Sequence, residues 1–414
     1  MVLNSALKHV KVIIAGPSGL DKDDMILKPL ERQLVAIGDV KVFDVEDKIE
    51  SLSGNHPLDF LPLNQKALRE IWRKAFSNII QEVQEHVNAL RKTRKADLFF
   101  SIISLHLTYF VDGEYFAPYD INLLSQNLKS TDESPTFFIT VIDDVYDMWK
   151  RIISRPYRPT RLMLRELMSW RSAEIAHGDV ITSSIRLLNI VMGLKHPIKT
   201  FCDLVSTEKP LAYLSHPMGP ECDEEFQHEV EEFRLRLSEY AVVFEPATID
   251  EIFLEELAQQ AREANIQINK TMHWPITLSE ERQRGWESLY PIEISANELR
   301  SVTEMIRGPN GEERASLVRM QTSSRDFRYI DQSDLLVAYR PTFSGEMHKG
   351  MLVEMMHASE QLPIKTVLAY IPKEDPPLSK AVVLRPNVFV YTDIDKLLER
   401  VKTIKRKNHQ VPSV

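Results

Sequence analysis

Cysteine is nearly absent: Cys202 and Cys222 are the only two in 414 residues. They form no metal-ligand spacing and no disulfide framework, so a reducing, cytoplasmic setting is expected. Long apolar runs are missing as well. No window reaches the roughly 18 to 20 uninterrupted apolar residues of a membrane span. The opening MVLNSALKHVKVIIAG has an interrupted apolar stretch that runs straight into a turn, unlike a secretory leader. No membrane partner is expected. Positive charge is not in excess either, because 51 Lys and Arg face 60 Asp and Glu for a formal net charge of −9. That balance excludes general nucleic-acid binding and leaves room only for a local basic pocket. There is no fixed-period repeat.

What is present is ordinary for a globular chain, with 43% hydrophobic and 27% charged residues. Such a length suits about two or three domains. Strand-like runs alternate with helical patterns in both halves, which predicts an α/β protein with two doubly wound parallel-sheet domains. In the first half, Val10–Ala15, Val40–Val45, Leu98–Leu105 and Thr136–Val141 read as strands. Met25–Ile37 and Leu68–Leu90 read as helices, and Val145–Met192 as mostly helical. Residues 196–210 carry Pro197, Pro210 and a polar stretch, and are expected to link a domain over 1–195 to one over 211–404. In the second half, Leu211–Ser215, Ala241–Phe244, Leu335–Tyr339, Lys365–Tyr370 and Pro386–Tyr391 read as strands. Glu224–Glu239 reads as a helix with Phe226, Val230, Phe233 and Leu237 on one face. His273–Glu313 is less regular and reads as an insertion or cap. Residues 405–414 form a basic tail.

The chemistry-bearing residues cluster in the second half. Tyr213-Leu214-Ser215-His216-Pro217 ends the first strand, and Asp326 lies in a helix that feeds the strand Leu335–Tyr339. Gly345 and Gly350 flank the loop after that strand, and Glu354 sits in the first or second turn of the next helix. Open α/β sheets bind ligands outside the carboxyl ends of their strands, where this order places the carboxylates. A glutamate there can attack an anomeric carbon, while a second carboxyl handles the proton of the leaving group. The rival readings are a solvated helix glutamate for Glu354 and an N-cap or arginine partner for Asp326.

In order and spacing, these motifs over about residues 209–400 resemble the nucleoside 2-deoxyribosyltransferase family and its relatives that hydrolyse deoxynucleoside monophosphates. The resemblance implies a flavodoxin-like or Rossmann-like fold, Glu354 as nucleophile, Asp326 as second catalytic group, and substrate contacts at Tyr213 and Gly350. His348 stands where the family has Ser or Asp to read the 5′ end of the sugar, and His216 replaces a glycine of the opening turn. Both are candidate substrate contacts, with Ser344 as a substitute hydroxyl.

In the first half, a strand followed by Gly16-Pro17-Ser18-Gly19-Leu20-Asp21-Lys22 and a helix has the layout of a phosphate-binding loop. Gly16, Gly19 and Lys22 are its candidate nucleotide contacts. Asp21, Asp23 and Asp24 stand where glycine and a hydroxyl belong, and their charge opposes a triphosphate. The region over about 8–195 resembles the adenylate kinase type of nucleoside monophosphate kinase. Its strand Phe138–Asp144 and the arginines Arg151, Arg155, Arg158, Arg161, Arg165 and Arg171 match the late strand and basic lid. A nucleotide-recognition domain without kinase chemistry is expected.

Together these readings predict an N-glycosidic bond hydrolase or (deoxy)ribosyltransferase acting on a nucleotide or nucleoside. No cofactor or metal is needed for the cleavage, and ATP with Mg²⁺ enters only if the first domain is active. Self-association is compatible with the resemblance. The rivals are a nucleoside monophosphate kinase with a regulatory second domain, a non-catalytic nucleotide sensor or defence effector, and an NAD glycohydrolase.

Overall fold

Short runs of Val, Ile, Leu and Phe can form strands covered on both faces, and here they do so in two separate sheets. A computed structural model of the chain describes residues 7–54, 65–93, 96–111, 113–154, 162–218, 224–249, 251, 253–263, 271–274, 292–305, 315–341, 349–360, 365–373, 382 and 384–407. In chain order the strands are β1 Lys8–Ala15, β2 Asp39–Asp44, β3 Leu98–Leu105, β4 Tyr109–Val111, β5 Glu114–Phe116, β6 Thr136–Ile142 and β7 Asn189–Gly193. They continue as β8 Leu211–Ser215, β9 Val242–Phe244, β10 Thr271–Trp274, β11 Ile292–Ser295, β12 Leu335–Tyr339, β13 Thr366–Tyr370 and β14 Val388–Tyr391. The protein is α/β, with two five-stranded parallel sheets flanked by helices. No described helix is long and apolar enough to cross a membrane.

Two compact units share the chain. Unit 1 takes Met1–Lys195, Asp250–Met320 and Gln410–Val414, and unit 2 takes His196–Ile249 and Gln321–His409. In unit 1 the sheet runs β2-β3-β1-β6-β7, with every neighbour parallel. The helix Gln65–Thr93 buries Leu68, Trp72, Ala75, Phe76, Ile79, Val83, Val87 and Leu90. That is the 3–4 spacing of a single apolar stripe. These side chains share a core with Ile13, Phe43, Phe99 and Ile103 of the sheet.

In unit 2 the sheet runs β14-β13-β12-β8-β9, again all parallel. By order of appearance within unit 2 this is 2-1-3-4-5, the flavodoxin-like arrangement, whose switch point lies between its first and third strands, β8 and β12. Successive side chains of a strand point to opposite faces. Ala212, Leu214, Val337 and Tyr339 meet Phe226, Val230, Phe233 and Leu237, so the expected face of the helix Glu224–Ser238 is the buried one. Tyr213 and Ser215 therefore point to the opposite face.

Two stretches differ from their sequence readings, and a third, read as an insertion or cap, is more regular than expected. Asn189–Gly193, read as part of a helical run, is β7 and is buried throughout. The helix Leu164–Ser184 ends just before it, and Arg186 turns the chain at φ 57°. Residues 196–210, read as a linking segment, contain the helix Ile198–Ser206 with Thr200, Phe201, Leu204 and Val205 buried. Within 273–313, the described parts are the antiparallel ribbon β10–β11 and the helix Ala296–Thr303, along with residues on either side of that helix.

Candidate functional site

Strand alternation and parallel register together place the candidate site of unit 2. Ser215 pairs with Ala338 and Tyr213 with Leu336, so the last residues of β8 lie beside β12, at the switch point. The helix Lys349–Glu360 follows β12 and carries Glu354 in its second turn. The Tyr213 hydroxyl donates to Glu354 Oε1 at 3.0 Å, and the Ser215 hydroxyl donates to Oε2 at 2.5 Å. Both donors are fully buried, whereas Glu354 is partly exposed. The carboxyl is thus gripped through both oxygens by one strand while keeping an opening to solvent.

Burial and the nearby Asp326 carboxylate push the Glu354 pKa up to about 7, against the two hydroxyl hydrogen bonds and Arg325, which favour the ionised form. Asp326 lies, as expected, in the helix that feeds β12, Leu317–Gln332. It is not an N-cap: Arg325 binds its Oδ1 through Nη2 at 2.8 Å and Nε at 3.1 Å. Arg325 in turn donates to the carbonyl of Ile249. Two neighbouring carboxyls with different partners are the usual arrangement for dividing acid and base roles.

The other predicted residues fall as follows. Tyr213, expected as a substrate contact, is a ligand of the Glu354 carboxyl. Ser215, which the sequence reading left without a role, is the other; its signal was only the i, i+2 spacing from Tyr213. His216 follows β8, its Nδ1 is 3.0 Å from the Pro217 carbonyl, and its Nε2 has no hydrogen-bond partner among the described residues. Burial lowers its pKa, so it is neutral near pH 7. Gly350 is exposed, one turn before Glu354. Ser344 and His348 lie outside the described residues. Asp334, just before β12 and not one of the predicted residues, accepts from the backbone N–H of Leu211 at 2.7 Å and of Lys407 at 3.1 Å, a structural role.

Removing a hydroxyl that favours the ionised carboxylate must raise the proton affinity of Glu354 further. Tyr213→Phe and Ser215→Ala are each expected to move the Glu354 titration about 0.5 to 1 pH unit upward, with the double variant higher still. Carbon-13 NMR of labelled glutamate carboxyls reads this directly. An unchanged titration in both variants would remove the hydroxyls from the site.

In unit 1, β1 ends in the expected turn. A Cβ at Gly16 would come within 2.7 Å of the Val141 carbonyl, and Gly19 has φ 89°, so both positions require glycine. Asp21 also adopts a positive φ, 49°. Lys22 is buried and donates to the Leu105 carbonyl at 2.7 Å, and burial lowers its pKa. His106 Nε2 is 3.0 Å from Glu46. Of the six arginines, Arg151 binds Asp143 at 2.7 Å and the Gly19 carbonyl at 3.1 Å. Arg171 grips Glu251 at 2.6 and 2.9 Å. Arg165 is exposed, and Arg155, Arg158 and Arg161 lie outside the described residues.

Asp143, Asp144 and Asp147 bring carboxylate oxygens within 4.8 Å of one another, a spacing that suits a metal ion. Two cations already sit on them. Lys195 bonds to Asp144 and lies 2.7 Å from Asp147, while Arg151 holds Asp143. Burial raises the pKa of Asp144 and Asp147, while the Lys195 ammonium acts in the opposite direction.

No protein-family model matches the chain. No curated protein matches it. Among solved structures, a shikimate kinase from Bacteroides thetaiotaomicron aligns at 12% identity over 45% of this chain and 86% of its own. The TM-score of 0.27 is too low to inform fold or activity.

Proposed function

We propose that unit 2 cleaves the N-glycosidic bond of a nucleotide or nucleoside, with Glu354 as the nucleophile. One observation carries the reading: a carboxyl held through both oxygens by two buried hydroxyls, at the switch point of a 2-1-3-4-5 sheet. Held this way, the carboxylate keeps one orientation, which is what attack on an anomeric carbon requires. Its oxygen bonds to the sugar carbon as the bond to the base nitrogen breaks. The electron pair leaves with the base, which takes up a proton, and water then hydrolyses the sugar ester. Asp326 is the second carboxyl, beside the first, for that proton.

The nucleophile must be ionised, and burial delays ionisation until about pH 7. Below that value log kcat/KM is expected to rise with unit slope, reaching a plateau above it. Base release followed by chromatography between about pH 5 and pH 9, with nucleotides, nucleosides and NAD as substrates, reads the limb. A profile that falls through pH 7 would make Glu354 an acid and remove it as nucleophile.

Unit 1 fits ligand recognition without phosphoryl transfer. Lys22, the charge a phosphate-binding loop needs, is turned onto the Leu105 carbonyl. Transfer of phosphate from ATP that is lost in Lys22→Ala and kept in Glu354→Gln would replace this reading with a kinase.

A further inference from the structure

On the face of the second sheet opposite Glu354, the carboxyl ends of β12 and β13 border a cavity of about 230 Å³. Glu229, Glu232, Phe233 and Arg236 of the helix Glu224–Ser238 form one wall, and Tyr339 and Tyr370 form the floor. The aromatic floor is rigid. Phe233 stacks on Tyr339 with centroids 4.0 Å apart and planes 2° from parallel, and Tyr339 stacks on Tyr370 at 5.5 Å and 21°.

The charges on the wall do not cancel. Arg236 is paired with Asp395. Glu229 and Glu232 make no ion pair among the described residues, and both are exposed. Tyr339 is only 4% exposed, yet its hydroxyl makes no hydrogen bond among the described residues while lining the cavity. The residue is otherwise enclosed, so this hydroxyl is a fixed polar group open to whatever occupies the cavity.

We propose that this cavity binds a small aliphatic amine in its ammonium form. Its N–H groups donate to the Glu229 and Glu232 carboxylates and to the Tyr339 hydroxyl oxygen, and its methylenes lie against the aromatic floor. The chemistry selects a cation, since two uncompensated carboxylates repel anions and gain nothing from a neutral guest. The cavity is smaller than the roughly 300–1,000 Å³ of drug-sized sites, which suits a small ligand. Burial and the charges of Glu229 and Glu232 hold the Tyr339 hydroxyl in its neutral form, so it remains an uncharged partner. This site is independent of the chemistry assigned to Glu354.

Titration calorimetry with 1,4-diaminobutane on the full chain tests it, with 1,4-butanediol as the neutral isostere and succinate as the anion. Saturable binding of the diamine alone is expected. The Glu229→Gln/Glu232→Gln variant should weaken it about tenfold or more, and Tyr339→Phe about threefold. The two glutamates are exposed, so their replacement leaves the core intact, and near-UV circular dichroism confirms the fold of each variant. Absence of saturable binding, equal binding of butanediol, or an unchanged affinity in the double variant overturns the site.

Discussion

Glu354→Gln is expected to reduce base release by roughly 10³-fold or more while leaving unit 2 folded. Gln keeps the shape and can still bond Tyr213 and Ser215, but it cannot attack carbon. The same substitution carries a stability signature of its own. The pKa of Glu354 is raised from 4.5 to about 7 in the folded protein, so between those values the folded state binds more protons than the unfolded one. Stability from this group is therefore fully present below about pH 4.5 and is lost as pH rises through about 7. At ~1.4 kcal/mol per pH unit the full loss is on the order of 3.5 kcal/mol. The Gln variant does not suffer it. It should match wild type near pH 4 and exceed it near pH 8, where thermal unfolding of wild type should come several degrees earlier. Loss of activity with a parallel loss of stability at pH 8 would show a merely structural glutamate.

Glu251→Ala is expected to destabilise unit 1 by about 3 to 5 kcal/mol. The Glu251 and Arg171 side chains are 1% and 6% exposed and share two hydrogen bonds. Glu251 also accepts from the backbone N–H of Val145 at 2.7 Å. Truncation leaves a guanidinium buried without its counter-charge and an amide without its acceptor. The pair also ties the returning segment, which begins at Asp250, to the rest of unit 1. Replacing both partners together, as Arg171→Met/Glu251→Leu, should recover much of the loss, because apolar groups of similar volume need no partner. Urea unfolding measures all three proteins. A change below about 1 kcal/mol in Glu251→Ala would mean that the charges are solvated and the pair is not what holds the segment.

Much of the fold was legible because its signals are local. The 3–4 spacing of Phe226, Val230, Phe233 and Leu237 named the buried face of its helix, and the runs Leu98–Leu105, Leu211–Ser215 and Leu335–Tyr339 became strands with those bounds. β7 escaped because five apolar residues after a long helix have no period that separates strand from helix. The helix Ile198–Ser206 escaped because the flanking Pro197 and the polar Ser206-Thr207-Glu208-Lys209 read as a break. Glu354 and Asp326 were singled out as candidates from their places relative to strand ends. Ser215 was not, since a serine in an apolar strand has no local mark, and its role depends on register with β12 and on a helix 139 residues away. Arg171 read as one of the arginines of a basic lid, but Glu251 lies 80 residues on and nothing local joins the two.

The nucleophile is tested most directly by trapping its ester. Wild-type protein is mixed with deoxynucleoside monophosphates, nucleosides or NAD, quenched in acid within milliseconds, and digested for peptide mass spectrometry. A substrate that releases base is expected to leave its sugar on the peptide containing Glu354, and Glu354→Gln to leave none. Base release with the sugar on another residue, or with no adduct and full activity in Glu354→Gln, would contradict the assignment.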